Sequence, residues 1–260
     1  MSLSPRSLLT WVVISALHCW VILLVTNSPT FNRLSLFLNP FSTFTSSLSS
    51  SSQTPITAAT PFLDAIKARR TYYALNKTLP ISHGRITQIV EEAIQAVPSA
   101  FNSQSNRAVV LLGAEHDALW DIAADVLKNH VSEEQWDSTS QRIAGFKAAS
   151  GTILLFADEK VMSASIANAP TYATQFPAWA AHSEGMLQLA LWTALELEGL
   201  GANLQHYNPL IDARVTETWQ VPASWRLRAQ LVFGGRSSTG LPRQKSVRPV
   251  EEKLRVFGAE

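Results

Sequence analysis

One cysteine, Cys19, is all the chain has. That excludes an internal disulfide framework, a cysteine zinc site and an iron–sulfur cluster. The six histidines, at 18, 83, 116, 130, 182 and 206, form no H-x-x-x-H pair. Walker loops, G-x-G-x-x-G and G-x-S-x-G are missing as well, which removes the usual phosphate-loop and serine-hydrolase signatures. Charge is sparse, at 16% of 260 residues, and balanced, with 21 Lys+Arg against 20 Asp+Glu. A chain that lives on nucleic acid needs a basic face to release counterions, so nucleic acid is not an expected partner. Hydrophobic residues at 46% are ample for a core and too many for a disordered chain.

Acidic residues are absent before Asp64, and the first 63 residues carry only Arg6 and Arg33. Removing those two arginines from the 21 basic residues leaves 19 against all 20 acidic ones, an ordinary balance for a soluble domain. Within this start, residues 8–25 form an apolar run broken only by Thr10, Ser15 and His18. As a helix it would span roughly 27 Å, enough for a bilayer core, so residues 1–25 are expected to be a membrane anchor or targeting segment. The expected location is membrane-anchored through the N-terminus. The alternatives are a mitochondrial signal, favoured by the missing acids and the serines, and a cleaved signal peptide. Residues 26–60 are expected to be a linker, since seven of the eleven residues from Ser42 to Ser52 are serine. The folded domain is expected over 61–260.

Within that domain Thr60-Pro61 opens a helix through Arg69. Ser82 opens a second, with Ile86, Ile89, Val90, Ala93, Ile94 and Val97 on one stripe and Pro98 as its stop. Further helices are expected near 115–129, 133–149 and 178–198. The last is apolar on nearly every side over Met186–Leu200, as suits a large core or a subunit interface. Buried strands are expected at Arg107–Gly113, Gly151–Ala157 and Arg228–Gly234. Long helices with a few short strands make the expected fold class α+β.

Four polar features could carry chemistry. Arg69-Arg70-Thr71 ends the first helix: arginine forks suit phosphate oxygens, though they also satisfy a helix C-terminus. The turn from Pro98 to Arg107 holds Asn102, Gln104 and Asn106, which could read the edge of a flat heterocycle or could simply make a turn. His182-Ser183-Glu184-Gly185 lies in the expected first turns of the long helix, where backbone amides can face an electron-rich atom; close helix packing is the alternative. Gly199 to Asn208 is either a plain helix cap and polar loop or a site containing His206.

In this order, A-I-K-A-R-R-T-Y-Y-A-L (65–75), P-S-A-F-N-S-Q-S-N-R-A-V (98–109), the block from Ala180 to Pro209 and Q-L-V-F-G (230–234) resemble the FMN-dependent nitroreductase superfamily, closest to its fungal fatty-acid-repression-type branch. The resemblance covers roughly residues 61–255. It implies a homodimer with a central mixed or antiparallel sheet, the long helix at the dimer interface and FMN between the subunits. It further implies that NAD(P)H reduces the flavin and that a nitroaromatic, quinone or related small-molecule acceptor takes the electrons. By motif, Arg69, Arg70 and Thr71 fall on the phosphate and ring edge, and Asn102 and Gln104 on the pyrimidine side. Gly185, with Glu184, falls where the family brings a backbone amide to flavin N5. Lys245 or Arg248 is the tail's basic residue at the phosphate. The alternative is a non-catalytic flavin-binding regulator in lipid or stress signalling that keeps the fold.

Overall fold

A computed structural model describes residues 57–259, and these belong to one compact unit. The apolar run at 8–25 and the serine-rich stretch before residue 57 lie outside the described residues. Among the described residues no helix is long and apolar enough to cross a membrane. The expectation of a transmembrane helix and of a membrane-anchored location is corrected to that extent: no described helix supplies a span, and neither is carried further. The longest helix, Phe176–Leu197, is apolar, but it is interrupted by Glu184, Gln188 and Glu196, and its buried side chains pack on a sheet.

Seven α-helices and five strands follow one another along the described chain. In order they are α1 (Thr60–Ala68), β1 (Leu75–Asn76), α2 (His83–Ala96), β2 (Asn106–Leu112), α3 (Ala114–Lys128), α4 (Glu133–Lys147), β3 (Gly151–Asp158), α5 (Glu159–Asn168), α6 (Phe176–Leu197), β4 (Leu200–Gln205), α7 (Asp212–Trp219) and β5 (Trp225–Arg236). Local chemistry explains several helix starts. Pro61 and Pro177 sit in the first turns of α1 and α6, where a missing N–H costs nothing. The Ser82 hydroxyl accepts the Arg85 amide at the start of α2, and Ser132 with Gln135 forms a reciprocal capping box on α4.

Every strand pairing is antiparallel. The long strand β5 organises the sheet, pairing with β3 and β1 along one edge and with β4 along the other, while β2 lies outside β3. Side chains alternate across the sheet plane with a period of two. Ile153 and Leu155 of β3, with Leu231 and Phe233 of β5, therefore face one layer, filled by Ile86 and Ile89 of α2 and Leu187, Leu191 and Leu195 of α6. Leu154, Phe156 and Val232 face the other, filled by Leu119 and Trp120 of α3 and Ile143 and Phe146 of α4. A sheet covered on both faces by helices realises the expected α+β class.

Strand β4 departs from the expected cap and loop. Leu200–Gln205 pairs with Gly235–Gln230, and Ala202 and Asn203 are fully buried. Gly201 is needed there: a Cβ would stand 2.7 Å from Leu75 Cδ2 and 2.9 Å from Tyr72 Cβ. Its bare backbone lets the chain after α1 lie directly on β4.

Candidate functional site

The chain leaves α1 at Arg69 in an extended conformation and runs beside β4. The Tyr72 amide donates to Ala202 O at 3.0 Å, and Asn203 Nδ2 donates to Tyr72 O at 2.8 Å. Further on, the Ser237 amide donates to Ala74 O at 3.1 Å. This lays Arg69, Arg70 and Thr71 along one wall of a cleft of about 840 Å³. A second wall comes from α4, through Arg142, Gly145 and Phe146, and Gln205 contributes from the end of β4. The C-terminal tail supplies the third, from Gly240 to Arg243 and at Lys245. Gly240 touches Ala74, and a Cβ there would overlap that side chain, so glycine allows the tail to close in.

Five basic side chains line the cleft, Arg69, Arg70, Arg142, Arg243 and Lys245, and no carboxylate does. A concave site with one sign of charge focuses its potential and concentrates an anionic ligand. Arg69 Nη1 is buried without a hydrogen-bond partner. A buried, unpartnered guanidinium N–H is costly, and an anion that reached it would answer it with a charge-assisted bond. Phe146, Leu241 and Tyr73 add apolar surface of the kind a flat ring covers. The volume falls in the range of small-molecule and cofactor sites.

Of the residues expected from sequence, Arg69, Arg70, Thr71 and Lys245 meet in this cleft, and Arg248 does not line it. Arg142 and Arg243 line it without having been singled out, and Gln205 lines it from the Gly199–Asn208 stretch, where His206 had been the residue named. Asn102 and Gln104 lie elsewhere, exposed on the turn around Ala100–Asn102 that leads into β2. Phe101, Asn102 and Gln104 have φ of 54°, 51° and 52°, a left-handed conformation uncommon outside glycine. The Gln104 amide donates to Ser99 Oγ at 2.8 Å, and Arg107 Nη1 donates to Gln104 O at 2.8 Å, which hold the turn in this shape.

Glu184 and Gly185 also lie off the cleft. Helix α6 begins at Phe176 rather than near Ala178, so Gly185 is ten residues in and its amide belongs to the helical ladder. Glu184 is buried beneath α6, takes a hydrogen bond from Gln188 Nε2 at 3.1 Å, and stands 3.8 Å from Arg228 Nε. Burial pushes its carboxyl up to about 7, against the pull of Arg228. His206 is exposed and lines no part of the cleft. Its neighbour Tyr207 packs edge-on against Trp120 at 5.6 Å. His116 is a core residue: its Nδ1 is 2.9 Å from Thr152 Oγ1, and burial lowers its pKa.

Comparison with known proteins agrees with this architecture. The nitroreductase family model matches residues 66–235. The chain is 37% identical over 187 residues to nitroreductase FRM2 of Saccharomyces cerevisiae, covering 71% of this chain and 92% of that protein. Among solved structures, nitroreductase CinD of Lactococcus lactis in complex with 4-nitrophenol is 38% identical, with a TM-score of 0.68 and coverage of 75% and 99%. A nitroreductase from Saccharomyces cerevisiae is 34% identical, with a TM-score of 0.62 and coverage of 70% and 98%. The chain belongs to the nitroreductase family and is a nitroreductase-type oxidoreductase, close to the fungal members.

Proposed function

We propose that the chain binds FMN in this cleft, oxidises NAD(P)H and reduces a nitroaromatic, quinone or related acceptor. The observation that carries the reading is the cleft itself: five cations, no carboxylate, and a buried arginine nitrogen with no partner inside the protein. Those groups fit a phosphate, and the apolar patches beside them fit a ring system. When bound, FMN supplies the redox chemistry, accepting hydride from the nicotinamide and giving electrons to the acceptor.

The chain's own residues then bind and orient. Arg69, Arg70 and Lys245 hold the phosphate, with Arg142 and Arg243 adding to the field. Thr71 offers a hydroxyl donor at the ring edge. Asn102 and Gln104 line no part of this cleft, so they serve the same site only if a second copy supplies them. A homodimer therefore belongs to the proposal, with Arg69, Arg70, Thr71 and Lys245 coming from one copy and Asn102 and Gln104 from the other. Exposed Phe101 on that turn, with Met186 and Leu189 on α6, gives such a dimer apolar surface to bury. CinD, which holds 4-nitrophenol, supports a nitroaromatic as the first acceptor to try.

The test is anaerobic. Purified chain loaded with FMN is mixed with NADH or NADPH, then with 4-nitrophenol or a quinone. Bleaching of the flavin absorbance followed by its recovery is the expected result. A bound flavin that stays oxidised with both nicotinamides would overturn the enzymatic reading in favour of a non-catalytic flavoprotein.

A further inference from the structure

Glu196 lies near the C-terminal end of α6, and its side chain is only 6% exposed. A buried carboxylate is expensive unless its surroundings use it. Here the Arg70 amide donates to both its oxygens, at 3.2 and 2.9 Å, and Trp192 Nε1 donates to Oε1 at 2.8 Å. The same indole N–H is 3.2 Å from Arg70 O, so Glu196 and Trp192 together grip both sides of one residue of the Arg69–Thr71 segment. The Trp192 ring also lies under Arg69, with Cζ 4.3 Å from the ring centroid.

We propose that Glu196 is a positioning residue for the phosphate site: through the Arg70 amide and the Trp192 indole it fixes the segment that presents Arg69 and Arg70 to the cleft. This rests on the reading that those arginines hold FMN. The carboxylate touches neither cofactor nor substrate; it acts through the backbone it holds.

The charged groups facing Glu196 are Arg69, from the segment after α1, and Arg236 of β5, whose Nη2 is 3.9 Å from Oε2. Tyr72 is the other titratable neighbour, sharing with them a small cavity of about 130 Å³. Burial holds the Glu196 carboxyl above its ordinary range, opposed by the Arg70 amide, Trp192 and the two arginines. As pH falls the grip therefore loses its charge earlier than an exposed glutamate would. The same upward shift means that ionised Glu196 lowers the stability of the empty protein as pH rises from the unfolded to the folded value. Cofactor retention and apo stability thus move in opposite directions, which a purely structural residue would not produce.

The experiment compares full-length wild type, E196Q, W192F and the R69A/R70A double variant. FMN affinity is read from flavin fluorescence quenching between about pH 8 and about pH 5, across the carboxyl range. Apo unfolding is measured in parallel. FMN phosphate titrates near pH 6 in every variant, so only a difference between profiles reports Glu196. The expected result is about tenfold weaker FMN binding in E196Q and W192F. E196Q should also lose one step of the wild-type pH profile while its apo form is at least as stable at neutral pH. Wild-type affinity and profile in E196Q, with binding lost in R69A/R70A, overturns the positioning role and leaves the phosphate site standing. Weaker binding matched by an equal loss of apo stability, with the pH profile unchanged, makes Glu196 structural and also overturns it. A wild-type chain that takes up no FMN overturns both.

Discussion

Arg69 stacks on Trp192, and the same tryptophan donates its indole N–H across the backbone of Arg70. One side chain of α6 thus sets both the plane of one arginine and the path of the next. A stacked guanidinium is worth about 0.5–2 kcal/mol, depending on desolvation. W192L removes ring and donor together, whereas W192F keeps a ring under Arg69. FMN affinity should therefore fall further in W192L than in W192F, by about tenfold or more against wild type. Fluorescence titration checks the order, and equal affinities in the two variants would remove stacking from the account.

R69A/R70A deletes two of the five cations in the cleft, including the buried nitrogen that lacks a partner. The purified double variant should carry little flavin and regain little on incubation with FMN. The ratio of flavin to protein absorbance is the measurement. Full occupancy would rule these arginines out as phosphate ligands.

Gly201 separates β4 from Tyr72 and Leu75 with no room for a methyl group. G201A should push the 69–75 segment off the sheet edge. Overpacking of this kind costs roughly 1–3 kcal/mol. Urea unfolding should show a lower midpoint with an unchanged slope, and cofactor affinity should fall with it because the same segment carries the arginines. An unchanged midpoint would show that the segment is not held this tightly.

Glu184 is pushed up to about 7, chiefly by burial. The folded chain therefore holds this proton more tightly than the unfolded chain, in which an ordinary glutamate titrates near 4.3. Its ionisation costs stability progressively as pH rises from there towards about 7. E184Q should match wild type below that window and exceed it at neutral pH. Denaturant midpoints measured across the window test this. A variant less stable than wild type at neutral pH would mean that the Arg228 pairing outweighs burial.

The parts of the fold set by short-range chemistry were legible in the sequence. The stripe Ile86, Ile89, Val90 and the Ser82 cap define α2, and the apolar runs of β2, β3 and β5 stand out against their flanking turns. Strand β4 was not legible, because Gly199, Gly201 and Asn203 have the local look of a helix cap and loop. Its strand character comes from pairing with Gln230–Gly235, residues far along the chain. The two residues of β1 are a strand for the same reason.

The cleft divides likewise. Arg69, Arg70, Thr71 and Lys245 were named from motif resemblance, and they meet in space. Arg142 was hidden on α4, where nothing in the local pattern distinguishes a cleft-facing arginine from one in solvent. Gln205 was hidden inside the unrecognised strand. Gly185 was read as lying near a helix start, but only the first four amides of a helix are free, and a start at Phe176 or at Ala178 alike leaves the Gly185 amide inside the ladder.

The most direct test of the anion-holding cleft is the affinity of the purified full-length chain for FMN against riboflavin, which differ by the phosphate alone. Charge-assisted bonds from Arg69, Arg70 and Lys245 require FMN to bind on the order of a hundredfold more tightly, with an advantage that shrinks as salt is raised. Equal affinity for the two flavins at low salt would contradict the assignment of this cleft to the phosphate.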